Sequence, residues 1–324
     1  MLYEFAIIPD VFDSSLIDAD TALGITLVEL LRGICDNGLI ANLNREGWAR
    51  HVQAERIAHL SPALRDRIIT CLNTLDNRHR LVRHPRSATG DPASEHDWLA
   101  LALDSHNRIE FYAIVLSDAL LTSSGGGLGF LGFSTVLDSA PWLARRRSLT
   151  IYKTNSQYRQ LLAPILRHAK SLALVDPYLN AHESRYTDVI DLCSDLMGSR
   201  AHDRLPGRIH IHTHINNQEP EGYDTNYYLA QWTRVLTPLA TRDRHRFKVF
   251  IWRGKAGAKA FHDRFILTDQ CGISIPAGLD ARTASTHTTT WSLLDEEDRR
   301  TNLDDYDPTI SPFQIVPPSP IDVP

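Results

Sequence analysis

Cysteine and methionine are scarce, with four of one and two of the other in 324 residues. Cys35, Cys71, Cys193 and Cys271 stand far apart and match no ligand spacing, so reduced structural thiols are expected rather than disulfides or a zinc site. Long apolar runs are missing as well: none approaches the roughly 20 residues that a membrane-spanning helix needs. The opening stretch MLYEFAIIPD lacks the basic start and small-residue cleavage site of a signal peptide and reads as a buried strand, which makes a cytoplasmic address the expectation. A general excess of positive charge is also absent. The net charge of −5 argues against attraction of nucleic acid over the whole surface.

What is present describes a globular protein. Apolar residues make up 43% of the chain and charged residues 23%, and the length exceeds the roughly 100 to 200 residues of a single domain, so two are expected. Strand and helix patterns alternate through the first 120 residues, with strands at 2–8, 80–82 and 111–116 and helices at 13–35, 45–56, 63–75 and 97–105. A second alternation begins at 148, with strands at 149–153, 171–175, 208–215, 247–252, 261–268 and 272–276. Both predict α/β domains, a smaller one at the N-terminus and a C-terminal mixed sheet with helices on both faces. Pro164 is expected to kink the first helix of the second domain. The segment SSGGGLGFLG carries five glycines, and with Arg145, Arg146 and Arg147 it marks 123–147 as a linker. The alternative, a glycine loop cradling phosphate, lacks GxGxxG or GKS spacing. The expected divisions are 1–122, 123–147, 148–300, and an acidic then proline-rich tail at 301–324, extended or disordered.

Charge is unevenly placed. From Arg242 to Arg264 there are eight lysines and arginines against two aspartates, about +6 locally, which leaves about −11 for the remainder. Inside this cluster His262 and Arg264 are two apart on a predicted strand and therefore share a face. Burying them is costly without an anionic ligand. A phosphate offsets that cost: imidazole attacks phosphorus or protonates a leaving oxygen, and guanidinium stabilises the equatorial oxygens. Arg253, Lys255 and Lys259 are the candidate phosphate contacts beside Arg264.

The spacing of His262, Arg264 and Asp269 resembles the HxKxxxxD signature of the phospholipase D superfamily, with Arg in place of Lys. The string HDRFILTD followed by GISIPAGLD is similar to the phospholipase-D-like C-terminal domain of MIT-domain proteins, a fold associated with binding anionic phospholipid rather than cleaving it. The likeness spans about 150 residues in element order and one motif in residues, and Gly278-Leu279-Asp280 stands where GSxN is usual. It implies a phospholipase-D-like domain at 148–300, with His262 as nucleophile, Arg264 as oxyanion clamp and Asp269 in support. Asp176, at the end of a strand, either orients a histidine or caps a turn. That chemistry uses two histidines. The second comes from a partner subunit in a homodimer, or from this chain, where His210, His212, His214 and His287 are the candidates. Three alternating histidines also suggest zinc, but no matching Cys or carboxylate accompanies them. The expected activity is a metal-independent phosphodiesterase acting as a nuclease, in a role such as bacterial antiviral defence, which is an association at the level of fold. The alternative is a catalytically degenerate module that binds phosphate, lipid or nucleic acid.

The first domain offers a separate possibility. Asp10, Glu29, Asp97 and Asp118 fall at strand ends and in helices, with a spacing similar to that of PIN-like nucleases. Converging carboxylates of this kind hold Mg²⁺ or Mn²⁺ for phosphodiester hydrolysis. No other cofactor is expected. The alternative is that these acids cap helices in a scaffold or sensing domain.

Overall fold

A computed structural model describes residues 1–19, 21–84, 90–127, 129–198, 206–215, 224–255, 261–282 and 286–323. The chain divides into two compact units, Met1–Arg147 and Ser148–Pro324, each of α/β construction.

In the first unit, strands β1 (Tyr3–Ile7), β2 (Gly38–Asn42), β3 (Leu81–Arg83), β4 (Ala113–Leu116) and β5 (Phe130–Gly132) form a parallel sheet in the order β3-β2-β1-β4-β5. The helices are α1 (Ser14–Ala19), α2 (Thr21–Asn37), α3 (Leu43–His51), α4 (Pro62–Asn77), α5 (Glu95–Arg108), α6 (Asp118–Ser123) and α7 (Ala140–Ala144). β1, β2 and β4 are buried along nearly their whole length. Successive side chains point to opposite faces, so both faces of the sheet are covered. Local chemistry fixes the helix starts: Ser94 and Asp97 make a reciprocal capping box on α5, and the Ser117 hydroxyl accepts from Leu120 N–H to cap α6.

Two sequence expectations fail here. β2 stands where no strand was expected, because GLIAN follows α2 with no loop between them and a short apolar run carries no periodicity of its own. The segment 123–147 is not a linker. It contributes β5 to the sheet, and Phe133 and Val136 are fully buried in the core of the first unit.

The second unit holds β6 (Ser148–Tyr152), β7 (Ser171–Val175), β8 (Arg208–His214), β9 (Arg246–Arg253), β10 (Phe265–Thr268), β11 (Gly272–Ser274), β12 (Thr288–Leu293), β13 (Gln314–Ile315) and β14 (Ile321–Val323). Its helices are α8 (Asn155–Leu166), α9 (Ser184–Gly198), α10 (Thr225–Asp243) and α11 (Glu296–Asp305). α8 contains Pro164 and ends two residues beyond it. The nine strands form one mixed sheet, ordered β13-β9-β8-β7-β10-β11-β12-β6, with β14 also paired to β9. β7, β8 and β9 run parallel, and β10 returns antiparallel to β7. The four cysteines are buried and free. Among the described residues no helix is long and apolar enough to cross a membrane.

The tail, expected to be extended or disordered, is folded. Its strands β13 and β14 both pair antiparallel with β9. Tyr306 and Phe313 join a buried cluster with Phe250, Trp252, Phe261 and Phe265. Phe313 packs edge-on against Phe261 with ring centroids 5.1 Å apart. Proline and acid content suggested disorder, but a few well-placed aromatic residues outweigh composition when a sheet edge is there to receive them. Replacing Phe313 by alanine should therefore cost about 3 kcal/mol. Denaturant unfolding measures this, and an unchanged midpoint would show the tail contributes nothing to the core.

Candidate functional site

The carboxyl edge of the first sheet carries a topological switch point. The chain leaves β1 toward β2 on one side and returns to β4 on the other, so a crevice opens between the ends of β1 and β4, where open α/β sheets bind ligands. Asp10 and Asp118 stand there, just beyond β1 and at the first position of α6. Asp10 is 8% exposed. Its Oδ2 accepts from Ser117 N–H at 3.2 Å, which spans the crevice. Oδ1 is buried without a hydrogen-bond partner among the described residues. Burial pushes the Asp10 pKa up, against hydrogen bonds from Ser117 and Val11 and the more distant charge of Arg56. Asp118 is exposed, and its Oδ2 accepts from Ser134 N–H at 3.3 Å. A Cβ at position 132 would come within 2.5 Å of Asp118 Oδ1, so Gly132 makes room for this carboxylate. Arg56 lies between Asp13, at 3.4 Å, and Glu95.

Glu29 and Asp97 do not join this pair. Glu29 is half exposed within α2 and ion-paired to Arg32 at 2.8 Å. Asp97 accepts from Ala93 N–H and Ser94 N–H in its capping box. Among the described residues, no three of the four expected carboxylates bring ligand atoms within 4.8 Å of one another. Of the four expected acids, Asp10 and Asp118 are the two that stand beyond the neighbouring strands β1 and β4.

The carboxyl edge of the second sheet collects the other expected residues. Asp176 follows β7 and is fully buried. Its Oδ1 accepts from Tyr178 N–H at 2.9 Å and its Oδ2 from Leu279 N–H at 2.8 Å. Gly278 has a φ of +86°, and that left-handed turn delivers the Leu279 amide. Burial raises the Asp176 pKa, opposed by these two amides and by Arg264. Arg264 Nε stands 3.5 Å from Asp176 Oδ1 without a hydrogen bond of its own among the described residues. Its Nη1 donates to Pro276 O at 2.8 Å, and its guanidinium lies 5.0 Å from the Tyr178 ring centroid.

The expected strand at 261–268 starts later. β10 begins at Phe265, Arg264 keeps one ladder bond to Ile275, and His262 lies ahead of the strand, exposed. Neighbouring Phe261 is buried and stacks on His214, at the end of β8, with centroids 5.6 Å apart. Burial, then the charges of His262 and Arg253, hold the His214 pKa below the ordinary histidine value. His214 therefore lies close enough to His262 for their charges to interact. His212 is buried between aromatic rings and accepts from Trp252 Nε1–H at 3.1 Å, so the alternating histidines form part of an aromatic stripe.

Asp269 is misplaced for catalysis. It accepts from Lys170 and Ser171 N–H at the opposite end of β10, five residues and roughly 16 Å from Arg264 along the strand. Its position in the motif is a turn-closing one. His287 is exposed beside a groove of about 260 Å³ lined also by Lys153 and Arg282. Arg253 and Lys255 are exposed, the latter donating to Ser311 O at 3.2 Å. Lys259 falls outside the described residues. Sequence reasoning missed Lys153, which is buried at the end of β6, paired to Asp280, and donates to Ala277 O at 2.8 Å. The signal was available: a lysine closing an alternating strand, and an aspartate in the Gly-Leu-Asp turn.

No family model matches the chain, and no curated protein matches it. Among solved structures it is similar, at 13% identity, to TrmBL2, described as an archaeal chromatin protein with a novel mode of DNA binding. The match covers 76% of this chain and 80% of that one with a TM-score of 0.26, a level that carries no argument.

A raised Asp10 pKa has a definite consequence for stability. Its contribution is fully present below the ordinary aspartate value of 3.8 and is lost as the pH rises through the higher folded value. Asp10→Asn should accordingly melt at or above the wild-type temperature at pH 7, with the gap closing near pH 4. A calorimetric scan that finds the variant clearly less stable at pH 7 would contradict this account of Asp10.

Proposed function

We propose that the protein is a nuclease that cleaves phosphodiester bonds at the carboxyl edge of the first sheet, using Mg²⁺ or Mn²⁺ held by Asp10 and Asp118. One observation carries this reading: Asp10 Oδ1 is buried at the switch point with no partner among the described residues. A desolvated carboxylate oxygen is expensive to maintain, and a cation relieves the cost. The donors fit such an ion, being hard oxygens, and Mg²⁺ commonly takes one or two carboxylates while substrate phosphate and water fill its other positions. When bound, the ion polarises a phosphoryl oxygen and acidifies a water. The chain's own part is to fix the two carboxylates, through Ser117 N–H on Asp10 and Ser134 N–H on Asp118. Arg56, between Asp13 and Glu95, balances the nearby acids. The PIN-like spacing agrees with this reading for Asp10 and Asp118 and not for Glu29 or Asp97.

A second reading has its own observation. His214 and His262 lie close enough to interact electrostatically, at the edge where Arg264 keeps an unpartnered Nε. Such an arrangement suits phospholipase-D-type chemistry and draws both imidazoles from one chain, with no partner subunit required. Against it, Arg264 is already matched with buried Asp176, and Asp269 lies at the wrong end of its strand.

Cleavage of RNA and DNA with and without chelator separates the two. We expect chelator to abolish cleavage, Asp10→Asn and Asp118→Asn each to slow it by about 100-fold or more, and His262→Ala to leave it unchanged. Chelator-resistant cleavage that disappears in His262→Ala would overturn the first reading in favour of the second.

A further inference from the structure

Three large rings are exposed at the carboxyl edge of the second sheet. Tyr178 is 44% exposed and Tyr227 48%. His182, also exposed, stacks on Tyr227 with centroids 5.1 Å apart and an interplanar angle of 18°. Tyr178 and His182 sit on the tight loop that follows β7, held by Asp176 accepting from Tyr178 N–H and by Asn180 Oδ1 accepting from His182 N–H at 2.9 Å. Tyr227 lies in the first turn of α10, whose N-terminus is fixed by Asp224 Oδ1 accepting from Asn226 and Tyr227 N–H. The loop and the helix turn are thus ordered by hydrogen bonds, and the rings they present face solvent.

Cations accompany the rings. The Arg264 guanidinium is held over Tyr178, with its Nε lacking a hydrogen bond among the described residues. A polar groove of about 480 Å³ beside His182 is lined by Arg282, by Arg185 in an ion pair with Glu183, and by Asp188. Exposed aromatic faces with guanidinium groups beside them match a ligand that carries flat π-systems along an anionic backbone. Duplex nucleic acid keeps its bases stacked inside and offers none to these rings. An anionic membrane supplies phosphate but asks for aliphatic side chains to enter it, and the groove lining is polar.

We infer that the β7–α9 loop and the start of α10 form a stacking platform for single-stranded nucleic acid, with Tyr178 and the His182–Tyr227 pair receiving bases and Arg264 and Arg282 receiving phosphates. This rests on the reading of the protein as acting on nucleic acid, but not on where cleavage occurs.

The test is fluorescence anisotropy on the full chain in chelator, with a labelled oligothymidine, a duplex of mixed sequence, and phosphatidic-acid vesicles as competitor. The oligothymidine should bind most tightly, in a salt-sensitive manner. Tyr178→Ala and Tyr227→Ala should each weaken it on the order of 10-fold, while Tyr178→Phe and Tyr227→Phe, which keep the ring, should bind as wild type. Circular dichroism and melting of each variant confirm that the fold is retained. Unchanged binding in both folded alanine variants, or tighter binding of duplex or vesicles, overturns the platform. Because binding is read without cleavage, Asp10-dependent nuclease activity can survive that outcome, and a working platform can survive loss of the nuclease reading.

Discussion

Both sheets depend on how they settle a carboxylate buried immediately beyond a central strand. Asp10 follows β1 and Asp176 follows β7, each shielded from water where the strand backbone ends. An ionised group so placed must find donors or counter-charge. In the second unit the requirement is met internally: two backbone amides reach Asp176 and Arg264 stands beside it. In the first unit the Ser117 amide reaches Asp10 Oδ2, and Oδ1 keeps no hydrogen-bond partner among the described residues. Similar local sequences, IIPD and ALVDP, thereby produce a closed electrostatic arrangement in one unit and an open one in the other.

The closed arrangement organises its surroundings. With Asp176 fixed by the turn through Gly278, Arg264 is drawn to one orientation, across Tyr178. Lys153 and Asp280 repeat the pattern a few residues away. Phe261, packed against Tyr306 and Phe313 from the chain's last segment, anchors the residue before His262. The edge is therefore preorganised by charge pairs satisfied within the unit.

Much of this was legible in the sequence, for physical reasons that can be named. β1, β4, β7 and β9 are apolar runs bounded by polar residues, and strand-end Asp10, Asp118 and Asp176 follow from recognising them. The motif His262-x-Arg264 lies at the carboxyl edge of the second sheet, where open α/β sheets collect functional groups. It failed in detail because a pattern does not say where a strand begins: His262 precedes β10, and Asp269 closes the far turn. The glycine-rich segment and the tail were misread because composition reports average tendency, whereas Phe133, Tyr306 and Phe313 decide packing one at a time. Residues united only by tertiary structure, such as His182 with Tyr227, left no trace in spacing.

The pairing of β14 with β9 bears on how the polypeptide emerges during synthesis. The first unit's sheet is complete once Gly132 has been made, and among the described residues its core cluster reaches no further than Trp142. The second sheet lacks a strand along β9 until Val323 has left the ribosome. Vectorial production thus gives the first unit a head start in reaching its native state, while the second keeps a bare backbone edge along β9 until β13 and β14 have followed it, a stage at which chaperone protection matters most.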